Sequence, residues 1–131
     1  MTSRALLDTS ILIAQESGRP LDVELLPDEA YVSVITIAEL TAGVHAAADT
    51  FTRARRMETL RVLDSVEALP VDYAAAQAWG ALRVGLRDSG RSVRVNDLWI
   101  AAIAYAHDLP VLTQDSDFDS LEQLGLTVIR A

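Results

Sequence analysis

The chain has 131 residues, half of them hydrophobic, with 19 acidic and 11 basic side chains and a formal net charge of −8. That length fits one compact domain, residues 1–131, whose interior is large enough to need no covalent staple. Cysteine is absent and every basic residue is arginine, which excludes disulfides, thiolate metal sites and cysteine nucleophiles, the lysine of a P-loop and the amine of Schiff-base chemistry.

Ala5-Leu6-Leu7 reads as a buried strand ending at Asp8, followed by a helix that Thr9 or Ser10 caps. Ala30–Ile35, with Tyr31, Val32, Val34 and Ile35, has strand composition. Thr36 then stands as a helix cap with Glu39 three residues on, the capping-box spacing, and that helix runs to about Ala47. Asp49 or Thr50 opens a helix with Arg53, Arg55, Arg56 and Arg61 on one face and Met57, Leu60 and Leu63 on the other. Val66–Leu69 is a third strand. Tyr73–Arg87 is a long helix with an apolar stripe of Ala75, Trp79, Leu82 and Leu86, ended by Ser89-Gly90. The polar stretch Asp88–Arg94 is a loop. Asn96 and Asp97 cap the apolar helix Leu98–Ala106, which must be buried against a sheet. Val111–Thr113 is a fourth strand, Gln114–Asp119 an acidic turn, and a short helix around Leu121 and Leu124 ends at Gly125 before a last strand, Thr127–Ile129.

Strands alternating with helices predict a parallel sheet covered on both faces. In such sheets ligands bind beyond the carboxyl ends of the strands. Asp8 follows the first strand, Glu39 lies early in the helix after the second, and Asp115 and Asp117 follow the fourth, so these acids converge on one edge. Asp97 has no strand directly before it, and its place at that edge is inferred from the parallel arrangement. Carboxylates about 4 Å apart repel by about 4 kcal/mol per pair at an effective dielectric of about 20. Several such pairs rival the ~5–15 kcal/mol stability of a whole domain, so protonation, an arginine or a hard divalent cation has to offset them. All-oxygen ligands suit Mg²⁺ or Mn²⁺.

Four blocks then resemble the PIN-domain family: Leu6-Leu7-Asp8-Thr9-Ser10-Ile11-Leu12; Ser33-Val34-Ile35-Thr36-Ile37-Ala38-Glu39-Leu40 with Gly43; Asn96-Asp97-Leu98-Trp99-Ile100-Ala101-Ala102; and Thr113-Gln114-Asp115-Ser116-Asp117-Phe118. They stand in family order, and the length is similar to that of VapC-type toxins. The resemblance implies a three-layer α/β/α sandwich with a central parallel sheet and Mg²⁺- or Mn²⁺-dependent endoribonuclease activity. It also implies a homodimer and inhibition by a VapB-type antitoxin. It implies an acidic site of Asp8, Glu39, Asp97 and Asp115, with Asp117 as a further metal ligand and Thr9 and Thr113 as supporting hydroxyls. Water would attack an RNA phosphate in line with metal assistance, leaving a 5′-phosphate and a 3′-hydroxyl.

Each residue also has a structural reading. Asp8 and Asp97 read equally as caps, Glu39 as the capping partner of Thr36, and Asp115, Asp117 and Asp119 as a solvated turn. Ser10 shares with Thr9 and Thr113 the choice between a cap and a site-supporting hydroxyl. Arg91 and Arg94 are candidates for RNA phosphate contacts or for steadying a carboxylate. The arginines of the third helix read as a solvated face or a phosphate track. His45 and His107 lack partners at metal-ligand spacing, and Trp79 and Trp99 read as core or dimer-interface residues. Rival functions are a phospho-acceptor domain, disfavoured by the missing lysine, an inert PIN-like binding module, and an RNA-processing nuclease that is not a toxin. The longest apolar run, Leu98–Ala106, is too short to span a membrane, Asp8 interrupts the first apolar stretch of any leader, and a cytoplasmic location is expected.

Overall fold

The structure is a computed structural model that describes residues 3–131. Its strands are β1 (Arg4–Leu7), β2 (Glu29–Ser33), β3 (Glu67–Leu69), β4 (Val111–Thr113) and β5 (Val128–Arg130). Its helices are α1 (Thr9–Ser17), α2 (Val34–Ala46), α3 (Thr50–Val62), α4 (Tyr73–Asp88), α5 (Val95–Ala106) and α6 (Asp119–Glu122). Short 3₁₀ turns lie at Val23–Leu25, Leu63–Ser65 and Ser116–Phe118.

The strands form one parallel sheet in the order β3-β2-β1-β4-β5. Leu6 pairs in register with Tyr31 on one side and Val111 on the other. Alternation along each strand divides the interior in two. Leu6, Tyr31, Leu69, Val111 and Val128 point to a core closed by α4, α5 and α6, where Ile100, Ile103, Phe118 and Leu121 are fully buried. Ala5, Leu7, Val32 and Leu112 point to a second core, under Ile11 and Leu12 of α1 and Leu40 of α2. The result is the three-layer α/β/α sandwich expected from the sequence. Each large side chain wholly removed from water contributes about 1.5–3 kcal/mol. That is why the alanine-rich α5, with Ile100–Ala104 buried throughout, forms the spine of the first core.

The boundaries differ from the sequence reading where two residues compete for one cap. Strand β2 stops at Ser33 rather than Ile35, and Ser33, not Thr36, caps α2, its side chain accepting from the Thr36 N–H at 3.2 Å. Asp8 itself caps α1 in place of Thr9 or Ser10. Helix α5 begins at Val95 after Arg94, so Asn96 and Asp97 lie inside its first turn instead of capping it. Met57, expected on the inner face of α3, is half exposed, because only the Leu60 side of that helix reaches the second core. Helix α4 keeps its expected stripe, with Ala75, Ala78, Leu82 and Leu86 buried, and Trp79 stacks on Trp99 of α5 with ring centroids 5.1 Å apart. No helix among the described residues is long and apolar enough to cross a membrane.

Candidate active site

After β1 the chain leaves toward β2 on one side, and β4 lies on the other, so the strand order reverses between β1 and β4. The crevice beyond the carboxyl ends at such a point is where open α/β sheets hold their ligands. Asp8 stands at the end of β1, its N–H donating to the Leu112 carbonyl at 2.9 Å. Thr113 ends β4 and is fully buried.

Two hydroxyls tie these strand ends together. Thr113 Oγ1 donates to Asp8 Oδ2 at 2.9 Å and accepts from the Asp115 N–H at 2.8 Å. Ser10 Oγ donates to the same oxygen at 2.7 Å and accepts from the Gln114 N–H at 3.0 Å. Each hydroxyl thus passes a backbone N–H of the β4 loop on to Asp8, and the contacts fall on Oδ2, leaving Oδ1 for other business. Burial still pushes the Asp8 carboxyl above its ordinary value, against the pull of these donors.

Asp97 reaches the same place from the first turn of α5, and Asp115 and Asp117 reach it from the turn after β4. Carboxylate oxygens of Asp97, Asp115 and Asp117 lie within 4.8 Å of one another. Arg94, just before α5, sits across all three: its Nε contacts Asp97 at 3.1 Å and Asp117 at 3.0 Å, and its Nη2 contacts Asp115 at 2.6 Å. One exposed guanidinium does not balance this charge. The Asp97 carboxyl is pushed up to about 7, first by burial, then by the hydrogen bond it shares with Asp117, with Asp8 and Asp115 adding repulsion against the attraction of Arg94.

Of the residues singled out from sequence, Asp97, Asp115 and Asp117 converge, and Asp8 stands beside them, tied to the same loop through Thr113 and Ser10 and repelling Asp97. Glu39 stands apart from the three-carboxylate group. Its helix begins three residues earlier than the capping-box reading requires, and its Oε1 accepts from Thr9 Oγ1 at 2.8 Å. Thr9 Oγ1 also lies 2.9 Å from the Thr36 hydroxyl, so Thr9 links Glu39 to the residue after Asp8. Arg91 has only a backbone bond, to the Leu86 carbonyl, whereas Arg94 steadies carboxylates. Sequence reasoning missed Thr36, whose hydroxyl faces Thr9 instead of capping. A buried threonine opposite another hydroxyl has no signature in the local sequence.

The donor set is wholly oxygen, from carboxylates that an arginine leaves undercompensated, and this fits a hard divalent cation. The PIN domain family profile matches residues 5–124. Ribonuclease VapC5 of Mycobacterium tuberculosis is 55% identical over 116 residues, covering 88% of this chain and 86% of that protein. Ribonuclease VapC4 of the same organism is 38% identical over 126 residues, 96% of this chain and 97% of the relative. Among solved structures, a member of the VapBC family of toxin–antitoxin systems, VapBC-5 from M. tuberculosis, superposes with a TM-score of 0.88 at 48% identity, covering 98% of this chain and 97% of the other. FitAcB from Neisseria gonorrhoeae superposes with a TM-score of 0.77 at 28% identity over 95% and 96% of the two chains. A match running from β1 into the segment after α6, together with relatives of this closeness over nearly full length, establishes that the chain belongs to the PIN-domain family and, within it, to the VapC ribonucleases.

Proposed function

We propose that this protein is a divalent-metal-dependent endoribonuclease acting as the toxin of a toxin–antitoxin pair. The observation that carries the chemistry is the convergence of Asp97, Asp115 and Asp117 oxygens within 4.8 Å at the strand-order reversal. Asp8, through its free Oδ1, Asp97, Asp115 and Asp117 are assigned as the ligands of Mg²⁺ or Mn²⁺. Glu39 borders them across Thr9 and completes the acidic rim. A bound cation here supplies Lewis-acid stabilisation of the charge that develops on the scissile phosphate.

The chain's own groups supply the rest. Thr113 and Ser10 fix the rotamer of Asp8, so its second oxygen faces the crevice without reorganising. Arg94 holds Asp97, Asp115 and Asp117 in one arc, and its guanidinium would be available to a phosphate of the RNA if a cation were held by those oxygens. The Ser10 and Thr113 hydroxyls are each engaged by Asp8 and a backbone N–H, so water is assigned as the attacking group, in line, leaving a 5′-phosphate and a 3′-hydroxyl.

The partner assignment rests on the relatives: the solved neighbour at 48% identity is described as a toxin–antitoxin system. A VapB-type antitoxin, assembly as a homodimer and residence in the cytoplasm are proposed on that basis. An arginine of the antitoxin entering the acidic crevice would compete for the positions that Arg94 takes here.

The test is cleavage of single-stranded RNA by purified protein with Mn²⁺, with EDTA, and by Asp8→Asn. Cleavage abolished by EDTA and reduced at least about 100-fold by the substitution is expected. Equal rates for wild type and Asp8→Asn would overturn the site. A cleaving enzyme whose induction leaves growth unchanged would overturn the toxin assignment.

A further inference from the structure

An open cleft of about 700 Å³ adjoins the acidic cluster on its β5 side. It shares Ser10 and Asp115 with the cluster and is otherwise walled by Arg19, Gln114, Ser116 and the Asp119–Arg130 pair, among others. We propose that this cleft is a nucleotide subsite for the RNA residue next to the scissile phosphate, with Arg19 holding its phosphate. The inference rests on the nuclease reading above and extends it to the path of the substrate.

The argument starts from charge. A chain of net charge −8 repels RNA unless cations stand where the strand lies. Most of its arginines near carboxylates are already engaged. Arg94 is spread over three acids, Arg130 is bound by Asp119 and Glu122, Arg61 by Glu58 and Arg87 by Asp88. Arg19 differs. Among the described residues it makes no ion pair, and the one contact of its guanidinium is a long one of 3.4 Å to the Ser10 carbonyl, at the start of the helix that Asp8 caps.

Its position is also built. Gly18, with φ of 74°, turns the chain out of α1 in the left-handed region that glycine adopts without strain. The Arg19 N–H then donates to the Ala14 carbonyl at 2.9 Å. Pro20 follows, and its carbonyl accepts from the Gln114 side-chain amide at 2.8 Å. Arg19 is therefore pinned on both sides, by α1 and by the loop that carries Asp115. Its unpaired head lines a space large enough for a nucleotide. Gln114 Oε1 and the Ser116 hydroxyl, which have no partner among the described residues, offer an acceptor and a donor to a base edge.

The test is equilibrium binding of a fluorescent single-stranded RNA to the full protein carrying Asp97→Asn, which blocks cleavage, with Arg19→Gln or Arg4→Gln added. Arg4 lies at the opposite end of β1, beside Glu29, and matches the change in charge. Arg19→Gln is expected to weaken binding about five-fold near physiological salt and to lower the slope of log Kd against log salt by about 0.7, one phosphate contact on a single strand. Arg4→Gln is expected to change neither. Identical salt slopes for the two variants would overturn the proposal, as would RNA binding untouched by Arg19→Gln while binding of the antitoxin is lost. Because binding is read in a cleavage-dead background, the subsite stands or falls separately from the metal assignment. The cleavage assay with Asp8→Asn tests that assignment independently.

Discussion

Asp97→Asn should make the metal-free protein more stable at alkaline pH, and its size can be worked from the cluster. The Asp97 carboxyl is raised from the ordinary 3.8 to about 7. At about 1.4 kcal/mol for each tenfold change in proton affinity, the ceiling on the native-state penalty is about 4 kcal/mol. Solvent around the open rim screens part of this, so about 2 kcal/mol, or about 6–8 °C in Tm, is expected. The sign follows from linkage. A carboxyl whose pKa is raised by folding leaves stability intact below pH 4, where both states are protonated. It removes stability progressively between pH 4 and pH 7, where the unfolded chain ionises freely and the native one resists, and the loss levels off once the native group ionises too. In EDTA, wild type should therefore lose stability between pH 4 and pH 7, and Asp97→Asn should lose much less. Urea or thermal melts at half-unit pH intervals read this directly. Adding Mn²⁺ at pH 8 should restore wild type toward its acid-side stability and do little for the variant. Parallel profiles for the two proteins in EDTA would refute the idea that the cluster is electrostatically strained.

Thr113→Val removes a buried hydroxyl that serves Asp8 and the Asp115 N–H at once. The orphaned groups should cost about 2–3 kcal/mol, seen as a fall of about 1 M in the urea midpoint, and an unmoved midpoint would show that water replaces the hydroxyl. Arg94→Ala strips the guanidinium from Asp97, Asp115 and Asp117. Mn²⁺ affinity, followed by EPR or calorimetry in low salt, should tighten about five- to ten-fold, and an unchanged affinity would mean that Arg94 and the cation do not compete for these oxygens.

Much of this site was legible before any coordinates. Asp8, Asp115 and Asp117 could be placed because each follows an apolar run that reads as a strand, and parallel strands deliver their carboxyl ends to one edge. Asp97 could be placed only indirectly, from the parallel arrangement and the motif that resembles the family's, since it arrives from a helix with no strand before it. Caps were harder. Ser33 and Thr36 have the same chemistry, and local sequence cannot decide between them. The choice is made by Thr9, 27 residues earlier in the chain, whose hydroxyl meets that of Thr36 and leaves Ser33 to cap the helix. Glu39, expected among the site acids, stands at their rim, its carboxylate accepting from Thr9. Arg94 was visible as one of two loop arginines, but what separates it from Arg91 is the geometry of the turn into α5. The cleft at Arg19 had no signal at all, because its walls come from the end of α1, the β4 loop and β5, segments that share no periodicity.

The bond between Thr113 and Asp8 joins residues 105 positions apart, and β1 finds its second neighbour only in β4. A growing polypeptide therefore carries its first acid almost from the outset and yet has no cutting centre until synthesis is nearly finished. For a ribonuclease, made on a machine built of RNA, the proposed site would thus come together only as the last strands emerge.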